Sequence, residues 1–253
     1  MKFDEIARII SQNEISEGIF DMWIDTENIA KEAVPGQFIS IYTKDGSKLL
    51  PRPISICEID GKKLRIVYRI AGAGTREFSS YANGQAVHIL GPLGNGFPIQ
   101  KGKKAILIGG GIGIPPMLEL AKKIEGEKTI VMGYRSKDTF LDNDLKKYGE
   151  IVVATDDGSL GTCGTVIDAI RENNVMGEVI YACGPTPMLR AVKAYAAENN
   201  IEAWISLEEK MACGIGACLA CVCKSTEVDG HSMVKNKRIC KDGPVFNAME
   251  VDL

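Results

Sequence analysis

The sequence predicts an α/β plus all-β chain in three parts. These are an antiparallel β-barrel over residues 1–98, a doubly wound parallel α/β domain over 99–206, and a small C-terminal lobe over 207–253. Three observations carry this. Short apolar runs crowd the first region with almost no helical periodicity. In the second, strand and helix signals alternate five times. The third is polar and short, yet holds five of the eight cysteines.

The barrel strands are expected at "IFDMWID", "QFISIYT", "PISICEI", "LRIVYRI" and "AVHILG". "IDGKKL" is a hairpin signal around Asp60-Gly61. "GTREFSSYA" reads as a short helix. Strands this close in sequence pair with their neighbours and close on themselves. In the second region "KAILIGG", "TIVMGY", "EIVVATD", "EVIYACG" and "EAWISL" are buried strands. Between them, "PPMLELAKKI", "FLDNDLKKY", "TVIDAIREN" and "TPMLRAVKAYAAEN" read as helices. The third region is too small for a core of its own, so it calls for a staple or a metal.

With 253 residues and a net charge of −3, the chain has no basic field for nucleic acid or anionic lipid. The N-terminal stretch "MKFDEIARIISQNEI" has charges throughout and no signal-peptide pattern. The longest apolar run, "AILIGGGIGIPPML", is too short and too rich in Gly and Pro to span a membrane. A cytoplasmic location is therefore expected. Thiols stay reduced there, so the cysteines point to metal or catalysis rather than disulfides.

"GGGIGIPPM" lies between the first α/β strand and its helix. Gly109, Gly110, Gly111 and Gly113 let the backbone approach a pyrophosphate, with the helix N-terminus facing the anion. No acid closes the second strand. Arg135, Ser136 and Lys137 stand there and, taken alone, suit a 2′-phosphate. Cys183 and Gly184 end the fourth strand, where a nicotinamide would sit. "DDGSLGTCGT", Asp156 to Thr165, touches the nucleotide or only makes the turn. In the barrel, "RPISI" (Arg52–Ile56) and "RIAGAGT" (Arg69–Thr75) put arginines and a glycine loop at strand ends.

"RPISI", "GAGT", "GPLGNGF", "GGGIGIPPM" and "ACGPTPM" follow the order and spacing of the ferredoxin–NADP reductase superfamily, which the first 205 residues resemble. That resemblance implies a flavin-binding barrel and a nicotinamide-nucleotide domain. It places FAD against Arg52, Pro53, Ile54, Ser55, Val67, Tyr68, Arg69, Gly74 and Thr75, with Ser55 and Cys183 at the reacting centre.

Cys213, Cys218 and Cys221 have the C-x4-C-x2-C spacing of plant-type [2Fe–2S] proteins. Gly214 and Gly216 let the loop wrap a cluster. In an extended "CVCK", Cys223 points away from Cys221, which leaves Cys240 as the fourth ligand. Structural zinc is the alternative, although its cysteines usually come as two separate C-x2–4-C pairs. A barrel, a nucleotide domain and a terminal cluster together resemble the electron-transfer subunits of type B dihydroorotate dehydrogenase. Small subunits of flavin-based NADPH–ferredoxin and sulfide oxidoreductases share the layout but tend to carry Asp where Cys213 stands.

The resemblance implies electron flow between NADH, FAD, the [2Fe–2S] cluster and an FMN-containing catalytic subunit that oxidises dihydroorotate in pyrimidine biosynthesis. It implies a heterotetramer with two copies of each subunit. It also implies NAD rather than NADP, against the hint at Arg135. A reductase feeding a ferredoxin or an oxygenase, or a zinc-stapled binding module, is the alternative. No role is assigned to His88, His231, Cys57, Cys163 or Cys223. Lys235, Lys237 and Arg238 form either a docking patch or a solvated loop. Val245, Phe246, Met249 and Val251 either pack the lobe or meet the partner, with Phe246 the expected anchor.

Overall fold

A computed structural model of the chain describes residues 1–228 and 233–253. Six strands close an antiparallel barrel in the order β1-β2-β5-β4-β3-β6. They are β1 (Phe3–Ser16), β2 (Ile19–Asp25), β3 (Phe38–Ile41), β4 (Arg52–Asp60), β5 (Lys63–Arg69) and β6 (Ala86–Leu93), with short helices α1 (Ile29–Glu32) and α2 (Ala73–Phe78). Ile9, Met22, Ile24, Ile39, Ile56, Leu64 and Ile66 fill the interior. Strands β4 and β5 form the expected hairpin, with Asp60 opposite Lys63. Gly61 takes a positive φ of 59° in its two-residue turn.

Strand β4 is paired along only half of each edge. Its first half, Arg52–Ser55, pairs with β3. Its second half, Ile56–Asp60, pairs with β5. Beyond the Ile56–Ile66 pair, the two strands part, and Val67–Arg69 of β5 pair only with β2. This opening is where a cavity forms.

The second body is a seven-stranded sheet in the order β10-β9-β8-β7-β11-β12-β15. In chain order it runs β7 (Ala105–Gly110), α3 (Pro115–Lys123), β8 (Lys128–Tyr134), α4 (Asp142–Leu145), β9 (Glu150–Thr155), β10 (Thr162–Cys163), α5 (Val166–Glu172), β11 (Val179–Cys183), α6 (Thr186–Glu198) and β12 (Glu202–Ser206). The hairpin β13 (Val222–Lys224) and β14 (Asn236–Arg238) follows, and then β15 (Val245–Asn247). All sheet neighbours are parallel except β15, which is antiparallel to β12. The five long parallel strands match the five expected from sequence.

Three features differ from expectation. The N-terminal stretch forms the 14-residue strand β1. Only Ala7 and Ile9 of that strand are buried, so its alternation is hidden among charges. The segment "FLDNDLKKY" makes only the one-turn helix α4. The third correction concerns Phe246. It is 2% exposed and lies in β15, opposite Ile205 of β12. Val245 and Val251 are buried too, so only Met249 of that group reaches the surface. Phe246 is a core residue and cannot anchor a partner.

The junction between the two bodies is pinned at Tyr181. Its hydroxyl donates a hydrogen bond to the Pro98 carbonyl (3.0 Å) and accepts one from the Gln100 amide (3.0 Å). Tyr181→Phe leaves both partners unpaired next to the core. It should destabilise the protein by about 1–3 kcal/mol, read by chemical denaturation. An unchanged midpoint would show that the hydroxyl does not hold the junction.

Candidate functional site

Two adjoining cavities lie at the carboxyl ends of the parallel strands. The first, of about 560 Å3, fills the opening between β4 and β5. Arg52, Pro53, Ile54 and Ser55 form one wall, and Val67, Tyr68 and Arg69 the other. Gly74 and Thr75 close one end. Every residue expected at a flavin is therefore on this one cavity.

The arginine is held in place locally. The Arg52 guanidinium lies across Gly74, where a Cβ would come within 2.4 Å of Nε. It also donates to the Leu50 carbonyl. The Thr75 hydroxyl accepts the amides of Ala71 (2.9 Å) and Gly72 (3.1 Å) and so folds the glycine loop. The cavity thus carries the Arg52 and Arg69 guanidinium groups beside a backbone loop with no bulky side chains. Such a wall suits a dinucleotide pyrophosphate. Tyr68 is 1% exposed, and its hydroxyl donates to Gln12 inside the barrel (2.9 Å). Burial raises its pKa, so the phenol stays neutral.

The second cavity, of about 500 Å3, is lined by Gly110, Gly111, Gly113, Gly184, Pro185 and Met188. The glycines are needed for contact. A Cβ on Gly113 would sit 2.3 Å from the Cys183 carbonyl oxygen, and one on Gly110 would sit 2.5 Å from the Met188 sulfur. Pro115 then starts α3, where its missing N–H costs nothing.

Gly109 and Cys183 do not line this cavity. Gly109 packs under Ile114, and Cys183 is fully buried. Burial raises the Cys183 thiol first, the nearby Glu208 charge adds to it, and a hydrogen bond with Ser206 opposes. Cys183 is therefore a neutral thiol behind the wall. Ser55 lies on the flavin-type cavity alone.

Of the three residues that suited a 2′-phosphate, only Arg135 faces the cavity. The Lys137 amide donates to Ser159, and Ser136 contacts Asp138. Asp156, Gly164 and Thr165 of the following loop also line it.

The two cavities share Arg69, Ile112 and Glu208. Glu208 was missed in the sequence. Its signal was its place just past the end of β12, on the edge where ligands bind. The protein around it raises its carboxyl above the ordinary range, and Arg69 opposes this. The first cavity continues along Glu209, Lys210 and Met211. Cys213 is two residues further on, at most about 7 Å of chain.

The cysteines converge as two pairs. The Cys213 and Cys218 sulfurs are 3.3 Å apart, and the Cys218 amide points at the Cys213 sulfur (3.4 Å). The Cys240 amide points at the Cys221 sulfur (3.4 Å). Burial pushes the Cys213 thiol up. Hydrogen bonds from the Cys218 and Ile215 amides, the Cys218 thiol and the Ala217 amide outweigh this and bring it down to about 6. Gly214 and Gly216 have φ of 66° and 85°, which a side chain would strain.

Among the described residues, no group of three or more His, Cys, Asp or Glu is gathered for a single ion. Two sulfur pairs with amides aimed at them fit a two-iron cluster better than one zinc ion. Cys223 turns to the Lys237 carbonyl instead (3.5 Å).

The segment 208–252 matches the family model described as the iron–sulfur cluster binding domain of dihydroorotate dehydrogenase B. Over 252 residues the chain is 41% identical to the dihydroorotate dehydrogenase B (NAD(+)) electron transfer subunit of Caldanaerobacter subterraneus subsp. tengcongensis, covering 99% of each.

The chain belongs to the dihydroorotate dehydrogenase B electron-transfer subunits.

The Listeria monocytogenes serotype 4a member of this family is 44% identical, over 97% of this chain and 98% of that one. Among solved structures, an NADH-dependent reduced ferredoxin-NADP oxidoreductase superposes with a TM-score of 0.88 at 31% identity, covering 98% of this chain and 90% of that one. The flavohemoglobin of Malassezia yamatoensis shares the fold at a TM-score of 0.66 and 20% identity, over 79% and 57% of the two chains.

Other candidates lie apart from the two cavities. His88 stacks on Tyr42 with ring centroids 4.2 Å apart and contacts Asp4. His231 lies outside the described residues. Lys237 and Arg238 pair with Glu250 (2.6 Å) and Asp242 (3.1 Å), so neither is a free docking cation. Cys57 is buried, and Cys163 is exposed on β10.

For this electron-transfer subunit, Cys240→Ser should abolish iron retention and Cys223→Ser should leave it intact. Iron and sulfide per chain, with the reduced-state electron paramagnetic resonance spectrum, read both. Full iron in the first variant and none in the second would reverse the assignment.

Proposed function

We propose that this chain carries electrons between NAD(H) and a separate catalytic subunit through FAD and a [2Fe–2S] cluster, in the oxidation of dihydroorotate to orotate. The observation that carries the reading is continuity. The nucleotide and flavin cavities share Arg69, Ile112 and Glu208, and the flavin wall runs through Met211 into the cysteine loop. When bound, FAD exchanges a hydride with the nicotinamide and hands electrons on singly, which is what a one-electron cluster requires. Arg52 and Arg69 would hold the flavin pyrophosphate, and the loop around Gly111 and Gly113 would hold that of NAD(H). Gly184 and Met188 would bound the nicotinamide. Asp156, on the same cavity as Arg135, makes the ribose end less hospitable to a second phosphate, in keeping with NADH. Cys213, Cys218, Cys221 and Cys240 would hold the cluster. A reducing cytoplasm suits eight free cysteines.

The partner would be an FMN-containing catalytic subunit, with two copies of each chain in a heterotetramer. Ile215, Leu219, Met233 and Val234 are exposed in the cysteine loop and just before β14, with Leu219 at 74%. Ile215 and Leu219 flank Cys218 in sequence, and apolar side chains exposed beside a redox centre suit a docking face. The likeness to the ferredoxin-NADP oxidoreductase supports a second reading, in which a ferredoxin is the acceptor. Co-purification of an FMN subunit separates the two.

Two variants test the reading. In Cys218→Ala, NADH should still bleach the flavin while transfer to the partner stops. Normal turnover with the partner in a cluster-free variant would sink the proposal. Leu219→Asp should weaken co-elution with the catalytic subunit on size exclusion yet leave NADH-to-dye activity unchanged. An intact complex would remove Leu219 from the interface.

A further inference from the structure

The second half of β4 has an open edge on the side where β3 has ended. Backbone groups on such an edge need partners. Helix α3 of the nucleotide body supplies them. The Ile59 amide donates to Glu119 Oε2 (2.9 Å), and the Ile59 carbonyl accepts from Lys122 Nζ (2.9 Å). Glu119 and Lys122 are three residues apart, so they project from one helix face. Together they bind both polar groups of one strand residue, as a neighbouring strand would. Lys122 also reaches Glu58 (3.3 Å). A second tie runs beside it. Arg65 of β5 holds Asp21 with two hydrogen bonds (3.0 and 2.8 Å) and reaches across to Asp144 of α4 (2.9 Å).

Glu119 is an unusual residue to spend on packing. Its side chain is fully buried, and Oε1 has no hydrogen-bond partner, only the Lys123 ammonium at 3.6 Å. Burial raises its pKa, with the Ile59 amide, Lys122 and Lys123 opposing. An apolar residue would fill the space without this cost, so the carboxylate has to be explained by what it grips.

Both gripped elements lead to a cavity. The N-terminus of α3 follows the Gly111–Gly113 turn at the nucleotide cavity. The start of β4, Arg52–Ser55, is the flavin wall. Fixing α3 to Ile59 therefore fixes one cavity relative to the other.

We infer that Glu119 and Lys122 are positioning residues for hydride transfer, setting the register of the nicotinamide against the flavin by gripping the open edge of β4 at Ile59. The inference rests on the functional reading above. Neither residue lines the flavin-type or the nucleotide cavity, so binding of each cofactor should survive their loss while the alignment between them degrades.

The test uses FAD-loaded protein carrying Glu119→Ala, Lys122→Met or Lys122→Arg. Four quantities are measured. They are FAD retention, the NAD+ dissociation constant by calorimetry, the long-wavelength charge-transfer absorbance on adding NADH, and the hydride-transfer rate at saturating NADH. The first two variants should keep FAD and NAD+ affinity near wild type, weaken the charge-transfer band, and slow hydride transfer by about 10- to 100-fold. Lys122→Arg keeps a donor for the Ile59 carbonyl and should restore most of the rate. If Glu119→Ala does not fold, Lys122→Met decides, because its side chain is partly exposed. An unchanged band and rate in folded variants overturns the inference. A loss of NAD+ affinity in proportion to rate also overturns it, since the cavity itself would then be deformed. Wild type that NADH fails to bleach strikes at the functional reading instead.

Discussion

Half-paired β4 is the feature on which the rest of the structure depends. A strand inside a closed barrel would ordinarily be satisfied along both edges. Here each neighbour covers only half of it. The opening toward β5 becomes the flavin-type cavity, walled by Arg52–Ser55 and Val67–Arg69. The opening on the other edge is closed by side chains of α3. One strand thus provides a binding wall at one end and a mount for the nucleotide body at the other. Hydride transfer works only at contact distance, so the two cavities must share a wall. Arg69, Ile112 and Glu208 make that wall.

The cysteine segment is tied into both bodies. Its tail enters the parallel sheet as an antiparallel seventh strand. Cys221, Ile239 and Cys240 pack into the same core as α5 and α6. Gly214 lies close enough to β3 that a Cβ would meet the Ser40 hydroxyl at 3.0 Å. Asn95, just past β6, donates to the carbonyls of Lys241 and Asp242. A redox loop held on several sides changes shape little, and this helps an electron carrier keep its distances fixed. The cysteines nearer the surface, Cys213 and Cys218, are partly exposed, whereas Cys221 and Cys240 are buried.

Much of this was legible in the sequence, for identifiable reasons. Strong periodicity gave the five long parallel strands, and turn chemistry gave the hairpin at Gly61. Residues whose type is forced by close approach were legible too. Arg52 lies across Gly74, and Gly113 meets the Cys183 carbonyl. What stayed hidden depends on tertiary context. Strand β1 has only two fully buried side chains among fourteen residues, too weak an alternation to read. The tail at Phe246 looked like an uncovered surface because nothing local shows that β12 has a free edge. Glu208 and Glu119 carry no motif. Their importance comes from where the strands and helix α3 end up in space.

Electrons would pass from nucleotide to flavin to cluster, in that order. Anaerobic rapid mixing of the wild-type chain with NADH tests that order most directly, with flavin and cluster absorbance followed separately. The flavin band should bleach first, at a rate that rises with NADH and saturates. Cluster reduction should follow at a rate independent of NADH. Cluster reduction that precedes flavin bleaching, or proceeds in protein stripped of flavin, would contradict the account.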